Sequence, residues 1–281
     1  MTWRKLEHSE TQDSQADLTS GFGTYEPNFT QRLLISVCRH SFLKRGSARR
    51  LMTGLILSLG QPRLDIHFRG AAYRIFGENN LIEYGLLLKP DYNAAEIDFL
   101  LEGATPQSNF VDVGCNIGLY TLPLCVSAPS GKTLAIDANP KMVGRIRWNA
   151  EASKLGNLVV VHTAVGDVNG QCDLAIAKDD VAIVAVEERA DGEMPMRLLF
   201  DVVSAEHIQS IHGLKIDIEG YEDKALVPFL NSAPEALLPK KIVIEHPDMN
   251  SDYPGCAEAF RRLGYQLRGR TRNNSLYELI R

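Results

Sequence analysis

The sequence lacks the features that mark several classes of protein. Its 281 residues contain no apolar run near the roughly 20 residues that a transmembrane helix requires. Residues 1–20 are polar throughout, so we expect no signal peptide. The five cysteines are odd in number and show no C-x-x-C spacing, which argues against a zinc site or a disulfide framework. A cytoplasmic protein with reduced thiols is therefore expected, with a peripheral position at the inner membrane surface left open.

Charge of one sign is missing from part of the chain. The formal net charge of −5 argues against a general affinity for nucleic acid. The stretch from Pro27 to Leu64, however, holds no acidic residue. Its basic residues are Arg32, Arg39, Lys44, Arg45, Arg49, Arg50 and Arg63. A solvated basic face on helices that pack against the domain is the simplest interpretation. Contact with a membrane surface and binding of an anionic acceptor stay open as alternatives.

The dinucleotide-binding fingerprint is also missing, although a related motif is present. Residues Asn109 to Thr121 read NFVDVGCNIGLYT: a short apolar strand, a turn with glycines at 114 and 118, and a helix-compatible segment. Glycine lets the backbone turn sharply and approach a ligand closely, and the start of a helix offers unpaired N–H groups. The motif therefore predicts a seat for a nucleotide-like cofactor. Because the G-x-G-x-x-G spacing is not met, a nicotinamide cofactor is disfavoured.

Further apolar runs predict an open α/β sheet. The run from Thr133 to Asp137 ends in an acid about 19 residues after Gly118, near where ribose-binding carboxylates fall in nucleotide-binding folds. Residues 157–162, 214–218 and 241–245 repeat the pattern of a short buried strand. Ligands of open α/β sheets bind at the carboxyl ends of the strands. The residues that follow each run are therefore the candidate site.

Five motifs occur in a fixed order, namely DVGCNIGLYT, IDANP, AVGD, LKIDIEGYE and IEH. With them, the stretch from Arg69 to Arg281 resembles the FkbM-type family of S-adenosylmethionine (SAM)-dependent methyltransferases. The resemblance implies SAM as cofactor and an α/β fold with a Rossmann-like class I methyltransferase sheet, mostly parallel with a C-terminal antiparallel hairpin. It also implies O-methylation of a sugar, a polysaccharide or a secondary metabolite. Cys115 stands where the family usually has Ala, and Asp137-Ala138 stands where Glu-Pro is common.

The motif positions predict how SAM would be held. The expected contacts are Asp112, Gly114, Asn116, Gly118, Tyr120, Thr121, Asp137, Ala138, Val165 and Asp167. The first four are expected on the methionine side and Asp137 at the ribose hydroxyls. Thr121 is expected either to bond the SAM carboxylate or to cap and pack its helix. The segment from Ala164 to Asp167 is expected beside the adenine, where Asp167 either accepts from the amino group or only forms a turn.

A hydroxyl acceptor must lose its proton, so a base is expected at the carboxyl ends of the strands. The predicted catalytic residues are Asp217, Glu219 and His246, with Glu245 in the same cluster. Asp217 and Glu219 lie two apart and would share a face of an extended strand, and an imidazole titrates in a suitable range. Glu222 is expected to be an acid at the start of a helix. No metal is predicted, but these acids and His246 form an alternative set of ligands for a divalent cation.

Three regions are predicted along the chain. Residues 1–28 are polar and are expected to form a disordered tail. Residues 29–108 are expected to form an extension of one or two helices broken near Gly46 and a hairpin that turns at Arg69-Gly70. Residues 109–281 are expected to form the SAM-binding methyltransferase domain.

Other local patterns predict the remaining elements. Asn93-x-x-Glu96 has the spacing of a capping box that opens a helix. Residues 170–200 are expected to form extra strands with a mobile loop around 187–195. A helix is expected over 254–263, stopped by Gly264 and followed by a terminal hairpin.

The predicted function is SAM-dependent methylation of a hydroxyl on a sugar, polysaccharide, glycolipid or secondary metabolite. The alternatives are an N-methyltransferase, a nicotinamide-dependent oxidoreductase and a non-catalytic SAM-binding protein. The expected partner is a small-molecule or glycan acceptor and not a nucleic acid; the oligomeric state is not predicted. Arginines near both ends favour an anionic acceptor, because the basic N-terminal segment is matched by Arg261, Arg262, Arg268, Arg270 and Arg272.

Overall fold

The structure is a computed structural model. It describes residues 3–5, 18–61, 63–77, 80–177, 184–189 and 191–280. The strands are β1 (Trp3–Lys5), β2 (Leu64–Phe68), β3 (Ala71–Ile75), β4 (Phe110–Val113), β5 (Thr133–Asp137), β6 (Leu158–His162), β7 (Ala164–Gly166), β8 (Gly170–Ala177), β9 (Val184–Glu188), β10 (Met194–Leu198), β11 (Gly213–Ile216), β12 (Lys241–Glu245), β13 (Tyr265–Arg270) and β14 (Asn274–Leu279).

The helices follow the chain order in the same way. They are α1 (Phe29–Arg39), α2 (Gly46–Ser58), α3 (Leu81–Leu88), α4 (Ala94–Leu101), α5 (Thr121–Ser127), α6 (Pro140–Ala152), α7 (Leu199–Ala205), α8 (Glu222–Ser232) and α9 (Pro254–Leu263). The described helices do not include one that is both long enough and apolar enough to cross a bilayer.

A seven-stranded sheet forms the centre of the molecule, in the order β13-β14-β12-β11-β4-β5-β6. Strands β6, β5, β4, β11 and β12 are parallel to their neighbours. Strand β14 is antiparallel to both β12 and β13. The predicted α/β fold class is confirmed: this is a Rossmann-like sheet, mostly parallel, that ends in an antiparallel hairpin.

Both faces of the sheet are covered, which explains why its central strands are apolar along their whole length. Every residue of β4 and β11 is buried. One hydrophobic core joins the sheet to the N-terminal helices, the β2–β3 hairpin, α5 and α6. A second core joins the other face to α7, α8 and α9. The carboxyl ends of the parallel strands stay clear of both cores and carry the candidate site.

The N-terminal extension packs directly on the Rossmann-like part. The predicted β2–β3 hairpin is present and turns at Arg69-Gly70. The hydroxyl of Tyr73 donates to the backbone oxygen of Gly118 at 3.0 Å. A buried ion pair joins Arg74 to Asp65 at 2.7 Å, and a second joins Arg145 to Glu83. The extension therefore contributes to the same core as the sheet.

Part of the predicted disordered tail makes defined contacts. The backbone N–H groups of Gly23 and Tyr25 donate to Asp65, and the backbone oxygen of Gly21 accepts from Arg74 at 2.9 Å. Residues 18–28 are thus ordered by the polar end of the hairpin, which corrects the prediction for that stretch. Strand β1 pairs with β8. Positions 1, 2 and 6–17 of the predicted tail lie outside the described residues.

Two local predictions need correction. Helix α4 is present, but Asn93 has a left-handed backbone and makes no side-chain cap; its amide donates to the Tyr120 hydroxyl at 2.7 Å. The capping box is therefore absent because tertiary contacts take its side chains. The loop predicted around 187–195 is shorter, because 187–188 end β9 and 194–195 begin β10. Both strands pair with β8 in a second sheet that also holds β1 and β7; position 190 lies outside the described residues.

Candidate functional site

A cleft of about 940 Å³ opens at the carboxyl ends of the parallel strands. One side is built by the sheet and the other by the N-terminal extension. The predicted site residues that line it are Gly114, Asn116, Tyr120, Asp137, Ala138, Val165, Asp217 and Glu219. The topology brings these residues together because β4, β5 and β11 are neighbours whose carboxyl ends meet at one edge.

The glycine turn after β4 is shaped by the neighbouring strand. Gly114 has a φ of +79°, and a Cβ at this position would lie 1.9 Å from the backbone oxygen of Asp217. The sequence predicts a glycine here for close approach of a ligand. The structure shows that the end of β11 makes the close approach. Gly118 also has a positive φ, and a Cβ there would meet Leu122 and Ile146.

Asp112 and Thr121 bond to each other behind the turn. The hydroxyl and the backbone N–H of Thr121 donate to Oδ2 of Asp112 at 2.5 and 3.1 Å. Both side chains are buried, and burial raises the pKa of Asp112 to about 6. Through Oδ2, Asp112 fastens α5 to β4, whereas its buried Oδ1 has no hydrogen-bond partner in the described part of the chain. The contacts of Asp112 and Thr121 with the cofactor stay a prediction. Capping and packing of the helix was the other predicted role of Thr121.

Asp137 at the tip of β5 lines the cleft and supports the glycine turn. Its carboxylate accepts from the backbone N–H of Asn116 at 2.7 Å and from that of Asn139 at 2.8 Å. Burial raises its pKa to about 6. A carboxylate offers about four acceptor positions. Two of those positions remain for a ligand after the backbone bonds are made.

The segment after β6 reaches the cleft only with its first residues. Thr163, Ala164 and Val165 line the cleft. Asp167 lies in an exposed bend beyond β7. Strand β7 turns away because it pairs in parallel with β10 of the second sheet. The prediction of Asp167 as an acceptor for adenine is corrected accordingly, and the alternative prediction of a turn fits its position.

The two acids after β11 lie on a turn rather than on a strand. Strand β11 ends at Ile216, and Glu219 and Gly220 both have positive φ values. The carboxylate of Glu222 holds this turn, because it accepts from the backbone N–H of Ile218 at 2.8 Å and from that of Gly220 at 2.9 Å. The predicted shared strand face of Asp217 and Glu219 is therefore wrong, although both residues line the cleft.

A buried lysine accompanies Asp217, and sequence reasoning missed it. The Lys215 side chain is 2% exposed, and its Nζ lies 3.1 Å from Oδ2 of Asp217. The same Nζ lies 5.3 Å from the centre of the Tyr120 ring. The only signal in the sequence is a charged residue inside an otherwise apolar strand. The ammonium group provides Asp217 with a fixed countercharge inside the protein.

Glu245 at the tip of β12 faces the same acids. Burial, followed by the neighbouring charges of Asp217 and Glu219, raises the pKa of Glu245 well above its usual range. A hydrogen bond with Asp217 acts in the same direction. The site therefore favours the protonated form of Glu245, which can donate to the Asp217 carboxylate.

His246 points away from this cluster. It is buried, with Nε2 3.4 Å from the backbone oxygen of Thr271, and its backbone N–H donates to the oxygen of Asn273 at 3.0 Å. Successive residues of a strand point to opposite sides, so Glu245 faces the cleft and His246 packs under the turn that joins β13 to β14. His246 is not among the residues that line the cleft, and its role as the base stays a prediction.

His246 is not part of the cluster of acids that could hold a metal ion. The three carboxylates that do cluster are Asp217, Glu222 and Glu245, with ligand atoms within 4.8 Å of one another. Glu222 already accepts two backbone hydrogen bonds. The Lys215 ammonium supplies positive charge at the same place. Lys215 and the backbone N–H groups bound to Glu222 thus offset part of the negative charge of this cluster.

Comparisons with known proteins give the following. No family model matches the sequence, and no curated protein matches it. Among solved structures, the precorrin-6y C5,15-methyltransferase of Geobacter metallireducens is 13% identical over 67% of this chain and 87% of its own, with a TM-score of 0.42. M. jannaschii TYW2 in complex with AdoMet is 13% identical over 79% and 88%, with a TM-score of 0.44. An rRNA methylase from Streptococcus thermophilus is 14% identical over 66% and 95%, with a TM-score of 0.41. Values this low assign neither substrate nor cofactor, so the proposed function rests on the cleft itself.

Proposed function

We propose that this protein is a SAM-dependent methyltransferase that acts on a hydroxyl oxygen. One observation carries the proposal: a single cleft joins the glycine turn and Asp137 to the Asp217–Glu245 acid pair. The first group suits a nucleoside, and the second suits removal of a proton. The motifs that resemble those of FkbM-type methyltransferases supply these same residues.

The cofactor seat follows from the side of the cleft formed by β4, β5 and β7. Gly114 and Asn116 would lie beside the methionine part, and the free acceptor positions of Asp137 would take the ribose hydroxyls. Thr163, Ala164 and Val165 offer an apolar and hydroxyl-lined wall for adenine. The donor set fits the group because it combines a carboxylate with a backbone turn that carries no side chain at Gly114.

The chemistry on the acceptor side follows from three residues. SAM supplies a methyl group made electrophilic by its sulfonium, so the protein must align the acceptor and take its proton. The Asp217 carboxylate is half-exposed in the cleft and is held by the Lys215 ammonium. Asp217 would accept the proton of the acceptor hydroxyl, while bound SAM would supply the methyl group and leave as S-adenosylhomocysteine. Protonated Glu245 keeps the Asp217 carboxylate in place through their hydrogen bond. Such a base contributes about 10²–10⁴-fold.

The acceptor class is a hydroxyl on a sugar, a polysaccharide, a glycolipid or a secondary metabolite. Two measurements test the function. The first is calorimetric titration with S-adenosylhomocysteine (SAH) and, separately, with NAD. We expect SAH to bind, and Asp137→Ala to weaken that binding by about tenfold because a charged acceptor of hydrogen bonds is lost.

The second measurement follows transfer of labelled methyl groups from SAM into lysate fractions of glycans, lipids and small molecules. Asp217→Asn is expected to lower transfer by about 10²–10⁴-fold with SAH affinity retained. Glu258→Gln serves as the control, because it removes an acidic charge from the exposed face of α9, away from the residues that line the cleft. Binding of NAD in place of SAH, or undiminished turnover of Asp217→Asn, contradicts the proposal.

A further inference from the structure

The cleft has a basic wall opposite the acids of the strand tips. Arg45 and Arg49 come from the start of α2, Lys89 from the end of α3, and Arg272 from the turn between β13 and β14. Arg45 and Arg49 lie four residues apart and therefore share one face of the chain entering α2. Three separate segments thus deliver positive charge to one wall of the cleft.

These cations lie close enough to repel one another. Burial lowers the pKa of Lys89, and the charges of Arg49, Arg272 and Arg45 lower it further. Asp91 acts in the opposite direction. The Tyr92 ring lies between two of the cations, with Arg49 and Lys89 each 5.7 Å from its centre. The wall is therefore a packed group of charges rather than a set of independent surface residues.

Three other arginines in the described part of the chain are arranged differently. Arg74, Arg145 and Arg270 each form an ion pair with a buried carboxylate. Within the described part of the chain, no ion pair to a carboxylate involves Arg45, Arg49, Lys89 or Arg272. Repulsion between like charges costs stability, so a wall of this kind indicates a role in binding an anion.

We infer that this wall binds a phosphoryl group of the acceptor. Guanidinium groups match phosphate oxygens with two parallel hydrogen bonds, and two or more of them can do so here together with the Lys89 ammonium. The inference rests on the proposed function, since it names the class of acceptor: a phosphorylated or diphosphate-linked hydroxyl compound. The phosphoryl group would lie at the basic wall with the reacting hydroxyl at Asp217.

Calorimetry on the SAH-loaded protein tests the inference with three probes: inorganic phosphate, inorganic pyrophosphate and glucuronate. We expect pyrophosphate to bind more tightly than phosphate, glucuronate to bind most weakly, and affinity to fall with added salt. Arg49→Gln and Arg272→Gln are each expected to weaken pyrophosphate binding by about tenfold or more. The control is Arg261→Gln, which removes the same charge from the exposed face of α9 and should leave binding unchanged.

The outcomes separate this inference from the proposed function. SAH binding without pyrophosphate binding overturns the phosphoryl site alone. Equal weakening by Arg261→Gln and Arg49→Gln shows only general attraction to a charged surface and also overturns it. Tighter binding of glucuronate than of phosphate moves the ligand class to carboxylates and contradicts the inference. If the unmodified protein does not bind SAH, the proposed function is contradicted instead.

A second surface is identified by a different observation, the exposed apolar residues of α1 and α2. The two helices run antiparallel, because the Asn28 amide donates to the oxygen of Leu59 and the Gln31 amide to that of Ile56. The apolar side chains that the pair and its connection leave exposed are Phe29, Leu33, Val37, Phe42, Leu51, Leu55 and Leu59. Monomeric proteins rarely expose so continuous an apolar surface without a role for it.

On each helix, the exposed apolar residues lie on the side opposite the buried ones. In α1 the buried residues are Gln31, Ile35 and Cys38, and Leu33 is two residues from Gln31, on the opposite side of the helix. In α2 the buried residue Thr53 lies two residues from Leu55, with the same consequence. Exposed arginines, Arg32, Arg45 and Arg50, accompany these apolar residues, so the solvated basic face stays a prediction.

The geometry points to docking of this outer face on an anionic lipid bilayer. Helices that lie in a membrane interface combine two features. They expose apolar side chains at the centre of one face, and the flanking segment carries no acid. The acid-free stretch from Pro27 to Leu64 supplies the charge complementarity.

Sedimentation with lipid vesicles tests the docking of the full chain. We expect binding to vesicles of equimolar phosphatidylcholine and phosphatidylglycerol and about tenfold weaker binding to phosphatidylcholine alone. The double variant Leu33→Ser with Leu55→Ser should weaken binding by about tenfold or more. Leu267→Ser is the control, since Leu267 is an equally exposed leucine (44%) on β13. Absence of vesicle binding, or self-association that the double variant abolishes, overturns the membrane assignment.

Discussion

The close contact between Gly114 and the end of β11 yields a quantitative prediction. A Cβ at position 114 would lie 1.9 Å from the Asp217 oxygen, whereas real Cβ atoms essentially never come within 3.0 Å of another heavy atom. In Gly114→Ala, the two strand ends must therefore separate by about 1.1 Å, the difference between these distances. Asp217 itself carries the displacement, so the substitution acts on stability and on the site together.

Gly103 provides a matched control. It has a φ of +72°, close to the +79° of Gly114, but a Cβ there would have no heavy atom within 4 Å. Gly103→Ala therefore measures the backbone strain alone, which we expect to be about 1–2 kcal/mol. Gly114→Ala adds the steric overlap, for which about 1–3 kcal/mol is typical of overpacked interiors. The expected total is about 2–5 kcal/mol.

Urea unfolding of both variants measures these free energies. A shift of the Asp217 backbone by about 1 Å is also expected to lower methyl transfer by about 100-fold, because misplacement of that size has such an effect on aligned reactants. Equal destabilisation by Gly114→Ala and Gly103→Ala would refute the reasoning. So would unchanged turnover of a folded Gly114→Ala variant.

Two further predictions concern the buried acids. The folded protein raises the pKa of Glu245, so it keeps a proton that the unfolded chain releases. The free energy of unfolding of wild type, relative to that of Glu245→Gln, should therefore fall as pH rises above the usual carboxyl pKa. The fall is at most about 1.36 kcal/mol per pH unit. Urea unfolding of both proteins from pH 5 to 8 measures this, and a constant difference contradicts it. Thr121→Val should destabilise the protein by about 1–3 kcal/mol by removing the donor to buried Asp112. The exposed Thr24→Val, which should cost well under 1 kcal/mol, is its control.

Much of the sheet could be predicted from the sequence because its signals are local. Short apolar runs bounded by turns gave β4, β5 and β12 within a residue of their observed limits. Arg69-Gly70 and Gly264 mark backbone conformations that few other residues adopt, so the hairpin turn and the end of α9 were predicted correctly. These features depend on the chain within a few residues of the position considered.

The errors share a different cause, which is contact between distant segments. Asn93 fails as a cap because Tyr120 takes its amide. One oxygen of Asp112 bonds to Thr121 rather than facing the cleft. Glu245 lines the cleft, whereas His246, one residue later, does not. In each case the residue type suits the predicted role, and the partner that changes the role is identified only by the fold.

Lys215 shows the same limit for the candidate site itself. A lysine within a buried strand is costly unless a carboxylate and further hydrogen bonds compensate it. The fold supplies Asp217 and the backbone oxygen of Ile216, each within 3.1 Å of Nζ. The ammonium in turn holds Asp217 at the edge of the cleft between the cofactor seat and the basic wall.

A compound whose phosphoryl group lies on Arg49 and Arg272 would thus present its hydroxyl toward the acids. The acids come from the Rossmann-like part, whereas Arg45, Arg49 and Lys89 come from the N-terminal extension. Selection of the acceptor therefore depends on how the extension packs on the sheet.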